Sequence, residues 1–156
     1  QQHPEFGKLK QHIAEQFEYI ERTKKIEKSL PPQPLRTKAE ILKDKLNQYG
    51  FFELNKIKQI SEQNQNRIID KISSNGLPYA IAMFDFLEFI PYLEKNHFDT
   101  KYKLNIEVSK WFDKDKEGRA VKGNISWLLK NTTENKERYT AYKHKEMVVK
   151  DYEKLK

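Results

Sequence analysis

Leu77-Pro78-Tyr79-Ala80-Ile81-Ala82-Met83-Phe84-Asp85-Phe86-Leu87-Glu88-Phe89-Ile90-Pro91-Tyr92-Leu93 is the most apolar stretch of the chain. Wound as a helix, it places apolar side chains on nearly every face, so it must be enclosed by other helices and form the central core element. Pro78 suits a first helical turn. Pro91 lacks an amide donor and clashes with the preceding turn, so the helix is expected to kink or end near Ile90. No apolar run reaches the roughly 18 residues that a membrane-spanning helix needs, and no membrane partner is expected.

Upstream, Thr37-Lys38-Ala39-Glu40 reads as a capping box that opens a helix. Ile41, Leu42 and Leu46 are expected on its buried face, and Gly50 suits a left-handed cap after Tyr49. Residues 53–60 read as a short helix with Leu54, Ile57 and Ile60 inward. Ser61 can cap the next, which ends at Ser73-Ser74-Asn75-Gly76 with Ile68, Ile69 and Ile72 inward. Residues 1–30 read as an N-terminal amphipathic helical arm, since Leu9, Ile13, Phe17 and Ile20 would share one stripe within 6–29. Three prolines at positions 31, 32 and 34 make 31–36 a linker. Pro31, Pro34 and Arg36 also fit a PxxP-type ligand, but such short matches arise readily by chance.

Downstream, Tyr102, Leu104, Ile106 and Val108 alternate with polar residues as in a strand. No second strand is evident to pair with it, so 101–109 is read as helix, capped by Asn105. Asp113-Lys114-Asp115-Lys116-Glu117-Gly118 is a turn into a helix at 119–130, with Val121, Ile125, Leu128 and Leu129 apolar. From about Thr133 the tail reads as one long helix carrying Tyr139, Tyr142, Val148, Val149, Tyr152 and Leu155. The expectation is an all-α fold: a compact multi-helix domain over 37–156 behind the arm and linker.

The 156 residues carry a formal net charge of +7. Residues 101–156 hold fifteen basic and nine acidic groups, so a local +6 sits in the last third. That asymmetry points to a polyanionic partner. Leu, Ile, Val and Phe supply 39 residues, enough for a folded core despite the high charge. There is no cysteine, which excludes a disulfide scaffold, a thiol nucleophile and Cys-based metal sites. The chain opens Gln1-Gln2-His3, so it reads as processed or as a fragment, without a signal-peptide pattern.

The turn at Asp113 starts like a calcium loop, with Asp113, Asp115 and Glu117 at alternate positions and Gly118 sixth. Ala120 then stands where an aliphatic Ile is usual and Asn124 where a bidentate Glu is needed, so a solvated helix–helix turn is favoured. Asp85 and Glu88 lie three apart, hence on one helical face, where they could act as acid and base or hold a metal; a structural ion pair is the more ordinary reading. His3, His12, His97 and His144 lack zinc-ligand spacing, and no Gly-rich phosphate loop or nucleophile motif is present. No cofactor is expected.

Two short helices, 105–113 and 119–130, joined by a Gly-containing turn, are helix-turn-helix-like, with a longer turn than usual. Arg119, Lys122, Asn124, Ser126 and Lys130 are expected on the polar face of the second helix. Arg and Asn can pair bidentately with base edges, while Lys and Ser contact phosphates. In the tail, Arg138, Lys143, His144, Lys145 and Lys150 interleave with Tyr139 and Tyr142, which suits backbone contact and stacking. The order of apolar helix, two short helices, then Asn135-Lys136-Glu137-Arg138-Tyr139-Thr140 opening a terminal helix resembles the C-terminal helical part of RteC-type regulators of conjugative transposons, over residues 77–156. The resemblance implies a transcriptional regulator with a helical DNA-binding end and carries over no individual residue. The expected function is a cytoplasmic, non-enzymatic DNA-binding or regulatory protein. The alternative is a protein-interaction module or dimerising adaptor using residues 6–29, and a metal-assisted hydrolase using Asp85 and Glu88 ranks last.

Overall fold

The structure, a computed structural model, describes residues 35–130 and 138–156. The segment expected to be a helical arm, the prolines of the expected linker and the expected start of the tail at Thr133 lie outside the described residues. Among the described residues there are eight α-helices and no strand, as the all-α reading expects. No helix among them is long and apolar enough to cross a membrane.

Helix α1, Lys38–Gln48, starts where the Thr37 hydroxyl accepts from the Glu40 amide at 3.2 Å. Leu42 and Leu46 are buried, but Ile41 is 50% exposed. The expectation for Ile41 fails because the stripe that meets the core runs through Leu42 and Leu46, and Ile41 sits to one side of it. Gly50 closes the helix at φ +84°, and a Cβ there would strike the Tyr92 ring. The helix expected at 53–60 is instead a 3₁₀ turn, Phe51–Glu53, and a single α-turn, α2, Asn55–Lys58. Leu54 separates them in an extended conformation, φ −65° and ψ 137°, while Leu54, Ile57 and Ile60 are all buried. Ser61 accepts from the Asn64 amide at 3.2 Å and opens α3, Glu62–Asn75, whose Ile68, Ile69 and Ile72 are buried.

Helix α4, Leu77–Phe86, is the centre of the fold: Leu77 and every residue from Tyr79 to Phe84 are buried. It meets α3, two later helices (α7 and α8, below), the 3₁₀ turn at Ala141–His144 and its own continuation, α5, Phe89–Asn96. The break between α4 and α5 falls at Leu87–Glu88 and not at Ile90. Glu88 takes φ 65°, and the chain restarts so that Pro91 lands in the first turn of α5. There an amide has no intrahelical acceptor, so proline costs nothing. Phe84, Phe89, Phe51 and Trp111 then form an edge-to-face and stacked cluster, with centroid separations of 5.2–6.4 Å.

Residues 101–111 are helix, α6, Lys101–Trp111. Its cap is Thr100, whose hydroxyl accepts from the Lys103 amide at 3.2 Å; Asn105, expected as the cap, lies within the helix and is 7% exposed. Helix α7 is Arg119–Lys130. The expected long tail helix is shorter: among the described residues it consists of the 3₁₀ turn Ala141–His144 and α8, Lys145–Leu155.

Helix α8 is pinned to the body by polar groups at several points. The Tyr79 hydroxyl donates to Asp151 Oδ2 at 2.6 Å, and Lys71 Nζ lies 3.6 Å from Asp151 Oδ1. The Tyr152 hydroxyl donates to the Lys56 carbonyl at 2.9 Å, and the Asn64 side chain donates to the Leu155 carbonyl at 2.7 Å. Burial, reinforced by the Asp151 carboxylate, pushes the Tyr79 phenol well above its ordinary value.

Replacing Asp151 by Ala strands a buried hydroxyl, so urea unfolding is expected to show a loss of about 1–3 kcal/mol at neutral pH. A phenol raised in the fold contributes its full stability below the unfolded value, about pH 10, and loses it as pH rises toward the folded value. Stability is therefore expected to fall above about pH 10, and less steeply in Tyr79→Phe, in melts compared between about pH 8 and about pH 11.

Candidate nucleic-acid interface

Residues 112–118 connect α6 to α7 and set the angle at which α7 leaves. The Ser109 hydroxyl donates to the Asp115 carbonyl at 2.5 Å, and the Lys114 amide donates to the Ser109 carbonyl at 3.0 Å. Asp115 then receives the amides of Arg119 at 2.7 Å and Ala120 at 3.2 Å on its two carboxylate oxygens. Those amides have no partner within the first turn, so the carboxylate acts as an anionic cap. The two backbone hydrogen bonds hold the Asp115 carboxyl below the usual range. The resemblance to a calcium loop thus resolves into a capped helix turn, with Glu117 paired to Arg119 at 2.7 Å. Among the described residues no group of three or more His, Asp or Glu could hold a metal ion.

Gly118 stands at φ +72°, and a Cβ on it would lie 2.6 Å from the Asn105 carbonyl carbon. Helices α6 and α7 can approach this closely only because that position lacks a side chain. The inner face of α7 is Val121, Asn124 and Leu128, all buried. The Tyr139 ring packs against Gly123, where a Cβ would collide with it.

This packing sorts the expected site residues. Arg119, Lys122 and Ser126 fall at i, i+3 and i+7, one row on the outer face, with Leu129 next in the row and 66% exposed. Arg119 and Lys122 are exposed and Ser126 is half-buried. Lys122, Ser126, Ile125 and Leu129 also line a groove of about 230 Å³ whose opposite wall carries Lys101 and Glu94. Lys101 belongs to this face although the polar pattern of α7 alone does not include it; Gly118, a glycine just where two helices are joined, is the signal of the close crossing. Among the described residues, Lys101 and Lys122 have no carboxylate ion-pair partner, whereas Lys103 pairs with Asp99 at 3.0 Å and Lys110 with Glu107 at 3.6 Å.

Asn124 does not belong to the outer face. It is 4% exposed, donates from Nδ2 to the Ala120 carbonyl at 2.8 Å and accepts the Ala141 amide at 3.1 Å. It ties α7 to the 3₁₀ turn at Ala141–His144 and has no free edge for a base. The side chain of Lys130 lies outside the described residues. Arg138 is exposed, with its guanidinium 5.4 Å from the Tyr139 ring centre, and that ring is occupied in packing on Gly123. Tyr142 is half-buried against the core, and the His144 ring meets Tyr79 edge-on at 5.9 Å. Lys143, Lys145 and Lys150 are exposed on the 3₁₀ turn and α8. Lys150 stands one turn from Glu146 and near Glu153, so the outer side of α8 mixes charges.

Asp85 and Glu88 do not share a face. Asp85 is half-buried in α4, where burial raises its carboxyl against the pull of the Lys145 ammonium. Glu88 is exposed at the helix break. Neither lines the groove beside α7.

Asn124→Ala leaves the Ala141 amide buried without an acceptor, and a loss of about 1–3 kcal/mol is expected in denaturant melts. Gly118→Ala combines a positive φ with a backbone collision and is expected to cost about 1–3 kcal/mol or more in the same melts. An Asn124→Ala protein of unchanged stability would show that the amide is not structural.

Compared with protein-family models, with curated proteins and with solved structures, the chain matches none of them.

Proposed function

We propose that this chain is a non-enzymatic, DNA-binding regulatory protein that lays the outer face of α7 on duplex phosphates. The observation that carries the reading is the row Arg119, Lys122 and Ser126, faced across one groove by Lys101, with both lysines lacking a carboxylate partner among the described residues. Lys122 and Lys101 supply point charges to successive phosphates, and Ser126 donates a hydrogen bond. Arg119 exchanges Glu117 for a phosphate or a guanine edge, the bidentate acceptors its planar fork fits. Lys143, Lys145 and Lys150 add a weaker, longer-range attraction. The local excess of +6 over residues 101–156 supports the same reading.

A protein partner is the second reading, favoured by Leu129, which stands 66% exposed at the end of the same row. A charged groove with an apolar edge also suits an acidic peptide surface.

Fluorescence anisotropy of a labelled duplex at several salt concentrations tests the proposal. Binding is expected to weaken linearly on a log–log plot as counterions are released, and Lys101→Gln with Lys122→Gln is expected to reduce the slope by about 2. Undetectable binding at low salt, or an unchanged slope in the double variant, would overturn it.

A further inference from the structure

Helix α1 and the C-terminal end of α6 enclose a second groove, about 350 Å³ in volume, on a different set of residues from the α7 face. Its apolar lining comes from Ile41, Leu42, Leu77, Trp111 and Phe112. Four lysines line it as well, Lys38 and Lys45 from α1, and Lys110 and Lys114 from the end of α6 and the turn beyond it. Asp113 is the one carboxylate in the lining, so the groove carries a net +3. Lys110 is shared with Glu107 at 3.6 Å, whereas Lys38, Lys45 and Lys114 make no ion pair among the described residues.

Each half of this arrangement has an ordinary cost that a ligand would remove. Ile41 is 50% exposed beside two half-buried aromatic rings, so apolar surface is left in water. Several ammonium groups held around one groove repel each other and raise the local potential. A lysine carries its charge on a flexible apolar stem, so it can cover an apolar body and reach an anionic head at once. The volume lies at the small end of ligand sites, which span roughly 300–1,000 Å³.

We propose that this groove binds a small amphipathic anion: a carboxylate, or an ester of phosphate or sulfate, on an aliphatic or aryl body. The body lies on Ile41, Trp111 and Phe112. The head is held among Lys38, Lys45 and Lys114. This inference is independent of the nucleic-acid reading, because the two grooves share no residue.

Calorimetric titration of the full chain with decanoate, decylammonium and acetate, each below its aggregation concentration, tests it. Decanoate is expected to bind saturably at one per chain. Decylammonium has the same body with the opposite charge, and acetate the head without the body; neither is expected to bind. The triple variant Lys38→Gln, Lys45→Gln, Lys114→Gln is expected to weaken decanoate binding about tenfold, as befits three exposed ion pairs. Ile41→Glu, at an exposed position, places a carboxylate in the apolar lining and is expected to weaken binding as much, with an unchanged melting curve. Equal binding of decanoate and decylammonium, no saturable binding of decanoate, or an affinity unmoved by Ile41→Glu would each overturn the proposal.

Discussion

Leu77 and the run from Tyr79 to Phe84 are buried, and a helix so enclosed obliges the remaining chain to wrap it. Each large apolar side chain taken fully out of water contributes about 1.5–3 kcal/mol, which no surface feature of this charged chain approaches. The neighbours of α4 are accordingly drawn from both sides of the sequence, α3 and α5 next to it and α7, α8 and the 3₁₀ turn at Ala141–His144 from the last third. The one polar side chain on the buried run, Tyr79, must satisfy its hydroxyl within this shell. Asp151 does so, and in turn holds α8 and receives Lys71. Enclosure of one helix thus dictates where the most basic part of the chain is attached.

The orientation of α7 rests on smaller constraints acting together. Asp115 receives its first free amides, Gly118 lets its start lie against Asn105, and Asn124 anchors its middle to Ala141. These contacts use up the carboxylate and the amide that a motif reading would assign to calcium or to a base. What they leave outward is Arg119, Lys122 and Ser126. The chemistry of the outer face is therefore what remains after the helix has been fixed from inside.

Charge follows the same logic. Lys103, Lys110 and Arg119 have carboxylate partners within 3.6 Å, and such exposed pairs add little stability while they blunt the local field. Lys101 and Lys122 at one groove, and Lys38, Lys45 and Lys114 at the other, lack such partners among the described residues. Lysines from α1 and from the last third thus gather at two surfaces with different floors: one beside a helix row that ends in Leu129, the other built on aromatic rings.

The local signals were legible in the sequence where they act within a few residues. Thr37 and Ser61 open their helices, Gly50 and Gly76 close theirs, and the apolar run at 77–86 is the enclosed centre, because caps and burial periodicity depend on near neighbours. The all-α class follows from those signals together. Tertiary packing decided the rest. It moved the break from Ile90 to Glu88 so that Pro91 falls within a first turn, turned Ile41 outward and drew Asn124 inside. It also paired Lys101 with Lys122 and gathered lysines from Lys38 to Lys114 around one groove. A polar side chain at a helical position faces water or a neighbour depending on which helix crosses there, and that crossing is set by contacts between residues far apart in the chain.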